Sequence, residues 1–194
     1  SAIGLMMGVG NVGEYLKESA DEDTETFITR DGGVTWEAVM RGRFHWEYGD
    51  QGSIIVIVPK NRGTNHVLYS RDEGRTWKKY EFSESDIEIT DITTLPSDNS
   101  RQFLLWGRDF NINLDFSGLT SRICHLDTDN PEASDSDYTL WTPKHPMQDN
   151  ECLFGHIARF YRKKPEADCY NGKNFDKLHG IPENCTCSRA DFEW

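Results

Sequence analysis

The stretches "TRDGGVTW" (residues 29–36) and "SRDEGRTW" (residues 70–77) decide the fold. Thr29, Asp31, Gly33, Thr35 and Trp36 fill five slots of the first, and Ser70, Asp72, Gly74, Thr76 and Trp77 fill the same slots of the second. A small hydroxyl residue, an acid, a glycine, a threonine and a tryptophan at one repeated spacing describe one hairpin built twice. Such a turn reverses the chain between antiparallel strands. Gly33 and Gly74 supply positive φ at little steric cost. Asp31 and Asp72 offer acceptors to backbone N–H groups left free in the turn. Thr35 and Thr76 open the outgoing strand, where β-branched residues suit the pleat. Trp36 and Trp77 are expected to bury their rings between sheets.

The two aspartates stand 41 residues apart. A period near that length with strand-rich content points to propeller blades of four strands each. "TETFITR" enters the first turn and "TWEAVM" leaves it; "RFHWEYG", "SIIVIV" and "NHVLYSR" follow, then the second turn and "TWKKYEF". "EITDITTL", "RQFLLWGR" and "LTSRICHL" are expected to be three strands of another blade. The run Ile54 to Val58 lacks alternation, as a strand covered on both faces would. The fold class is therefore all-β: the last two to three blades of a partial propeller over residues 1–143, followed by a small disulfide-rich module over residues 144–194.

Charge and cysteine content mark the second part. Residues 152–194 carry a formal charge of +1, against −13 for the rest of the chain and −12 overall. An acidic chain of this kind does not suit nucleic acid, whose phosphates need a basic face. Cys152, Cys169, Cys185 and Cys187 lie in the last 43 residues, and only Cys124 precedes them. Cysteines clustered in a short polar stretch read as a disulfide framework in an oxidising compartment. Zinc is the weaker reading, because Cys185 and Cys187 are too close for a C-x-x-C knuckle and no histidine pair follows. The longest apolar run is far too short to cross a bilayer. The start "SAIGLMMGVG" is no signal peptide and carries no initiator Met, so the chain reads as a piece of something longer.

The paired hairpins resemble the Asp-box, or BNR repeat, of sialidases, some glycoside hydrolases and the sortilin family. A second resemblance is narrower. "DYTLWTP" (137–143), "CLFGHIARFYRKKPEADCYNGKNF" (152–175) and "CTCSRADFE" (185–193) are similar to the start of the ten-cysteine module of the sortilin and vacuolar protein sorting receptor family. The wording "YRKKPEADCYNGK" looks closest to the fungal members. The resemblance implies bonds Cys124–Cys169 and Cys152–Cys185, with Cys187 paired to a cysteine beyond this chain. Cys185 and Cys187 sit too near one another for an unstrained mutual bridge. The sequence departs from the family at Trp194, where a further cysteine is expected.

Other candidates have bland readings beside the sharp ones. Asn184-Cys185-Thr186 satisfies the N-glycosylation pattern, although a bridged Cys185 could leave it unused. The basic run Arg159 to Lys164 could meet an acidic ligand, but reads more simply as a solvated strand face. The six histidines are scattered singly, so neither a metal site nor a triad is expected. His45 and His156 are candidates for titration in endosomes. The oxygen ligands around the two turns are too few for calcium. No cofactor, metal or catalytic residue is expected.

The resemblance implies a fragment of the luminal ligand-binding region of a sorting receptor. Its partners would be cargo proteins or peptides such as vacuolar or lysosomal hydrolases, carried from Golgi to endosome or vacuole. Membrane attachment would come from a span outside this chain. The alternative is an Asp-box enzyme, a sialidase or other glycoside hydrolase. Such an enzyme needs two placed carboxyl groups, and no spacing here selects a pair.

Overall fold

A computed structural model describes residues 2–15, 23–95, 100–172, 178, 180 and 182–192. The chain divides into two compact units, Ser1–Ser121 and Arg122–Trp194. That division falls ahead of the junction at 143/144 suggested by the sequence. Among the described residues every long element is a strand, and the helical pieces are single 3-10 turns such as Asp50–Gly52 and Ser117–Leu119.

The first unit contains β1 (Met6–Gly10), β2 (Glu25–Thr29), β3 (Glu37–Arg41), β4 (Phe44–Gly49), β5 (Ile54–Pro59) and β6 (Gly63–Thr64). It continues with β7 (His66–Ser70), β8 (Lys78–Glu81), β9 (Ile87–Glu88), β10 (Asp91–Leu95), β11 (Gln102–Trp106) and β12 (Asn111–Asp115). They form a sheet β1-β2-β3, a four-stranded sheet β4-β5-β7-β8, a sheet β10-β11-β12 and a short pair β6-β9, all antiparallel.

β5 is the centre of this unit, and all six of its residues are buried. β-Branched side chains suit a strand, and covering both faces removes the need for alternation. Ile54, Val56 and Val58 pack with Ile92, Phe103, Leu105 and Leu114 of β10, β11 and β12. Ile55 and Ile57 face the other way, onto Met7 of β1 and Ile28 of β2. Each aliphatic side chain so buried stabilises the unit by about 1.5–3 kcal/mol. β8 is exposed along its whole length, and Lys78 and Lys79 place charge on that edge.

One expected strand is misplaced. "LTSRICHL" was expected to supply the third strand of the last sheet, and residues 111–115 supply it instead. Ile112 and Leu114 alternate with Asn111, Asn113 and Asp115, which is the period-2 pattern of a half-buried strand. Ile123 makes only an isolated parallel bridge to Tyr170, within the second unit.

The second unit contains β13 (Tyr138–Trp141), β14 (His156–Ile157), β15 (Phe160–Lys163) and β16 (Glu183–Asn184), paired β13-β15 and β14-β16. Its buried apolar residues are few among those described: Cys124, Tyr138, Cys169 and Leu178. So small a core rarely stabilises a unit without covalent staples. Cys124 is bonded to Cys169 and Cys152 to Cys185. Beside the first bond, Arg122 grips Asp137 with two parallel hydrogen bonds of 2.6 and 2.9 Å, and the His125 N–H donates to the same carboxylate at 2.8 Å. Buried Tyr138 donates its hydroxyl to Asn171 Oδ1 at 2.6 Å.

Candidate functional site

The two acidic hairpins join β2 to β3 and β7 to β8, and their geometry repeats. The Thr29 hydroxyl donates to Asp31 Oδ1 at 2.7 Å and accepts the Gly33 N–H at 2.9 Å. Asp31 in turn accepts the Thr35 N–H at 2.9 Å and the Thr35 hydroxyl at 2.5 Å. In the second hairpin the Ser70 hydroxyl donates to Asp72 at 2.7 Å and accepts the Gly74 N–H at 2.7 Å. Asp72 accepts the Thr76 N–H at 2.8 Å and the Thr76 hydroxyl at 2.5 Å. Gly33 and Gly74 have φ of 103° and 75°, which only glycine adopts without strain.

These donors set the ionisation of the acids. Burial works against charge on Asp31, but the Thr35 hydroxyl and N–H and the Thr29 hydroxyl outweigh it and lower its pKa to about 2. Asp72 is lowered in the same way, with burial opposed by Thr76 and Ser70. The carboxylate and hydroxyl oxygens of both hairpins thus have structural partners, and the arrangement is a brace for the turn.

The two tryptophans do not share one environment. Trp77 is half-buried and packs on the cluster of Met7, Ile28, Ile55 and Ile57, between two sheets. Its Nε1 is buried with no hydrogen-bond partner among the described residues. Trp36 is 48% exposed, which corrects the expectation that both rings are buried. Its ring lies over Gly8 and its Nε1 donates to the Gly33 carbonyl at 3.1 Å. Gly8 and Met7 alternate along β1, so Trp36 sits on the face turned away from the four-stranded sheet. Among the described residues of the first unit no sheet covers that face.

Sequence reasoning missed Arg30, which stands between the hydroxyl residue and the acid of the first hairpin. Its Nε donates to the carbonyl of Glu73 in the second hairpin at 2.7 Å. The signal was present, because Arg71 holds the same slot in the second copy.

A cleft of about 640 Å³ opens along β4 and β10. His45, Trp46 and Glu47 line one side, Asp91 and Trp106 the other, with Lys60 nearby. His45 Nδ1 lies 3.7 Å from Asp91 Oδ1. Burial holds the His45 pKa below its usual value; Asp91 opposes that effect and Lys60 adds to it. The cleft lining therefore brings two tryptophans, two carboxylates and the cationic side chains of Arg43 and Lys60 together, a composition suited to a mixed-charge ligand. Its residues carry no spacing motif, because β4 and β10 belong to different sheets, and the packing of those sheets rather than local sequence brings them together. His156 is exposed on β14 of the second unit.

The basic run of the second unit is occupied rather than free. Arg159 pairs with Glu183 at 2.5 Å, Arg162 stacks over the Trp141 ring, and Lys164 Nζ donates to the Ser136 carbonyl at 2.7 Å. Cys124, Asp137 and Cys169 bring possible ligand atoms within 4.8 Å of one another, but both sulfurs are bonded to each other and Arg122 holds the carboxylate. That set does not fit a metal ion. Cys187 is an exposed free thiol, and Asn184 is exposed on β16.

Two family models match consecutive stretches of the chain. Residues 1–92 match the family model described as "Sortilin, neurotensin receptor 3", and residues 94–194 match the one described as "Sortilin, neurotensin receptor 3, C-terminal". The chain is 52% identical over 204 residues to a protein of Coccidioides posadasii named "Vacuolar protein sorting/targeting protein 10", and 53% identical over 204 residues to its namesake in Uncinocarpus reesii. The namesake in Aspergillus fumigatus is 52% identical over 199 residues. All of this chain is aligned in each case, and it spans 13–14% of the relatives' length. Together the two family matches and the whole-chain identity place this protein in the sortilin family.

Proposed function

We propose that this chain is part of the luminal cargo-binding region of a vacuolar sorting receptor. The observation that carries the reading is its whole-chain similarity to proteins named for vacuolar sorting and targeting. Cargo would be vacuolar or lysosomal hydrolases and peptides, taken up on the luminal side of Golgi membranes and delivered to endosomes or the vacuole. Membrane attachment is assigned to a span elsewhere in such a receptor; among the described residues no helix is long and apolar enough to cross a membrane. None of the relatives named above carries a hydrolase name, and no observation favours the enzyme alternative.

The three large sheets are read as consecutive blades of a propeller with Asp-box turns. Supporting this are the repeated hairpin geometry, the face-to-face stacking on β5 and the position of Trp77 between two sheets. Trp36 holds the corresponding place on the open face of the β1-β2-β3 sheet, where a preceding blade would cover it. The cysteine-bonded second part is read as the beginning of the ten-cysteine module, with Cys187 paired outside these residues. The cleft between β4 and β10 is proposed as a cargo contact, its indoles stacking on a peptide and its charges reading side chains of both signs.

The test uses an intact fungal receptor. Trp46→Ala and Asp91→Ala, made together, should weaken binding of a hydrolase propeptide at least about tenfold, or 1.4 kcal/mol, and raise secretion of that hydrolase. Undiminished binding by a normally folded double variant sinks the cleft assignment. Normal sorting by a receptor lacking this segment sinks the receptor reading itself.

A further inference from the structure

We infer that Asn184 is an acceptor of N-linked oligosaccharide, and that bonding of Cys185 to Cys152 competes with the transfer. The inference rests on the secretory-pathway reading above. Three observations carry it. Asn184 and Thr186 are both exposed, whereas Cys185 between them is half-buried and bonded to Cys152. The Cys185 N–H also donates to the Gly155 carbonyl at 3.0 Å. The acceptor residue and the hydroxyl residue that defines the sequon thus lie at the surface, while the cysteine between them is tied down by its backbone and its disulfide. Finally, the Asn184 side chain makes no hydrogen bond among the described residues, so a sugar there displaces no partner among them.

The chemistry balances without a redox step. The Asn184 side-chain nitrogen bonds to the anomeric carbon of an oligosaccharide carried on a lipid pyrophosphate. The carbon–oxygen bond to the pyrophosphate breaks, the lipid pyrophosphate leaves, and the amide nitrogen loses one proton to a base of the transferase.

The competition follows from the fold. Once Cys185 is bonded and β16 is paired with β14, His156 opposite Asn184, the sequon is held at both its backbone and its central side chain. A transferase that must draw the three residues into its own site meets a free segment only before that closure. Occupancy in the folded chain therefore records which event came first.

The experiment secretes the 194-residue chain from a eukaryotic host behind a cleavable signal peptide, so the result does not depend on where the natural protein resides. Intact mass is measured before and after enzymatic removal of N-glycans, together with a disulfide map. The expected result is partial occupancy in the wild type, none in Asn184→Gln or Thr186→Ala, retention in Thr186→Ser, and at least a twofold rise in Cys152→Ser. The Thr186 pair leaves both cysteines in place, so the site is tested even where Cys152→Ser folds poorly. A bonded, secreted wild type with no glycan overturns the site and leaves the receptor reading standing. Equal occupancy in the wild type and in Cys152→Ser overturns the competition. Loss of sorting in the intact-receptor experiment is a separate measurement and bears only on the receptor reading.

Discussion

Arg30 Nε lies 2.7 Å from the carbonyl oxygen of Glu73, so the first acidic hairpin holds the turn of the second. Glu73 sits in the left-handed region with φ of 58°, a conformation that needs support from its surroundings. Arg30 also pairs with Glu37 at 2.5 Å, which orients the guanidinium. Arg30→Ala should cost about 1.5–3 kcal/mol, the range for a hydrogen bond to a charged group. Arg30→Lys should not rescue it, because an ammonium cannot serve both directions of the planar fork. Denaturant melts of the chain and both variants check this; equal midpoints would show the contact to be idle.

Gly74 is hemmed in by packed core side chains, and Gly33 only by the end of a flexible one. A Cβ there would lie 3.1 Å from Ile28 Cδ1 and 3.3 Å from Trp77 Cζ2, at a φ of +75°. At Gly33 the added carbon would meet only the flexible Met6 Cε, at 3.0 Å. Gly74→Ala should therefore lose about 1–2 kcal/mol for the left-handed backbone plus a packing cost, and should melt below Gly33→Ala. The reverse order of melting temperatures would refute the packing account.

Acid should loosen the hairpins. Asp31 is lowered from 3.8 to about 2 in the folded chain, and Asp72 and Asp137 are lowered too. For Asp137 the Arg122 hydrogen bonds are the main cause, opposed by burial. A depressed carboxyl contributes stability that is whole above its unfolded pKa and disappears as pH falls through the folded one. For Asp31 that window runs from 3.8 down to about 2. Asp31→Asn should flatten the loss of stability across that window while lowering stability at neutral pH. An unchanged slope in a pH series of melts would remove Asp31 from the account.

The two tryptophans should respond differently to a quencher in this chain. Trp36 is 48% exposed and should be quenched readily by acrylamide; Trp77, packed on Ile28 and Ile55, should be shielded. Trp77→Ala should cost about 3 kcal/mol, and Trp36→Ala well under half of that. Equal quenching of single-tryptophan variants would contradict the packing described for Trp77.

How far the sequence could be read depended on whether a residue's role was local. The acidic hairpins were legible because each residue serves its own turn, and the spacing of Thr29, Asp31, Gly33 and Thr35 is the hydrogen-bond pattern itself. The burial of Ile54 to Val58 was legible because an unbroken β-branched run leaves no face for water. The strand over residues 111–115 was missed because its three polar positions, Asn111, Asn113 and Asp115, are poor strand formers that tertiary pairing overrides. Trp36 was misjudged because burial depends on what lies across the sheet, which no local pattern states. The cleft joining His45 to Asp91 was invisible for a similar reason: the two are 46 positions apart and meet only through the stacking of sheets.

The order of the bonded cysteines has a consequence for survival. Cys152 falls inside the loop closed by Cys124 and Cys169, and Cys185 falls outside it, so the two loops overlap. A single peptide-bond cut anywhere between Cys124 and Cys185 therefore leaves the two halves covalently joined. A chain proposed to travel with hydrolases could be nicked in this region and stay in one piece until a reductant reached it. Such damage would be visible on a reducing gel and hidden on a non-reducing one.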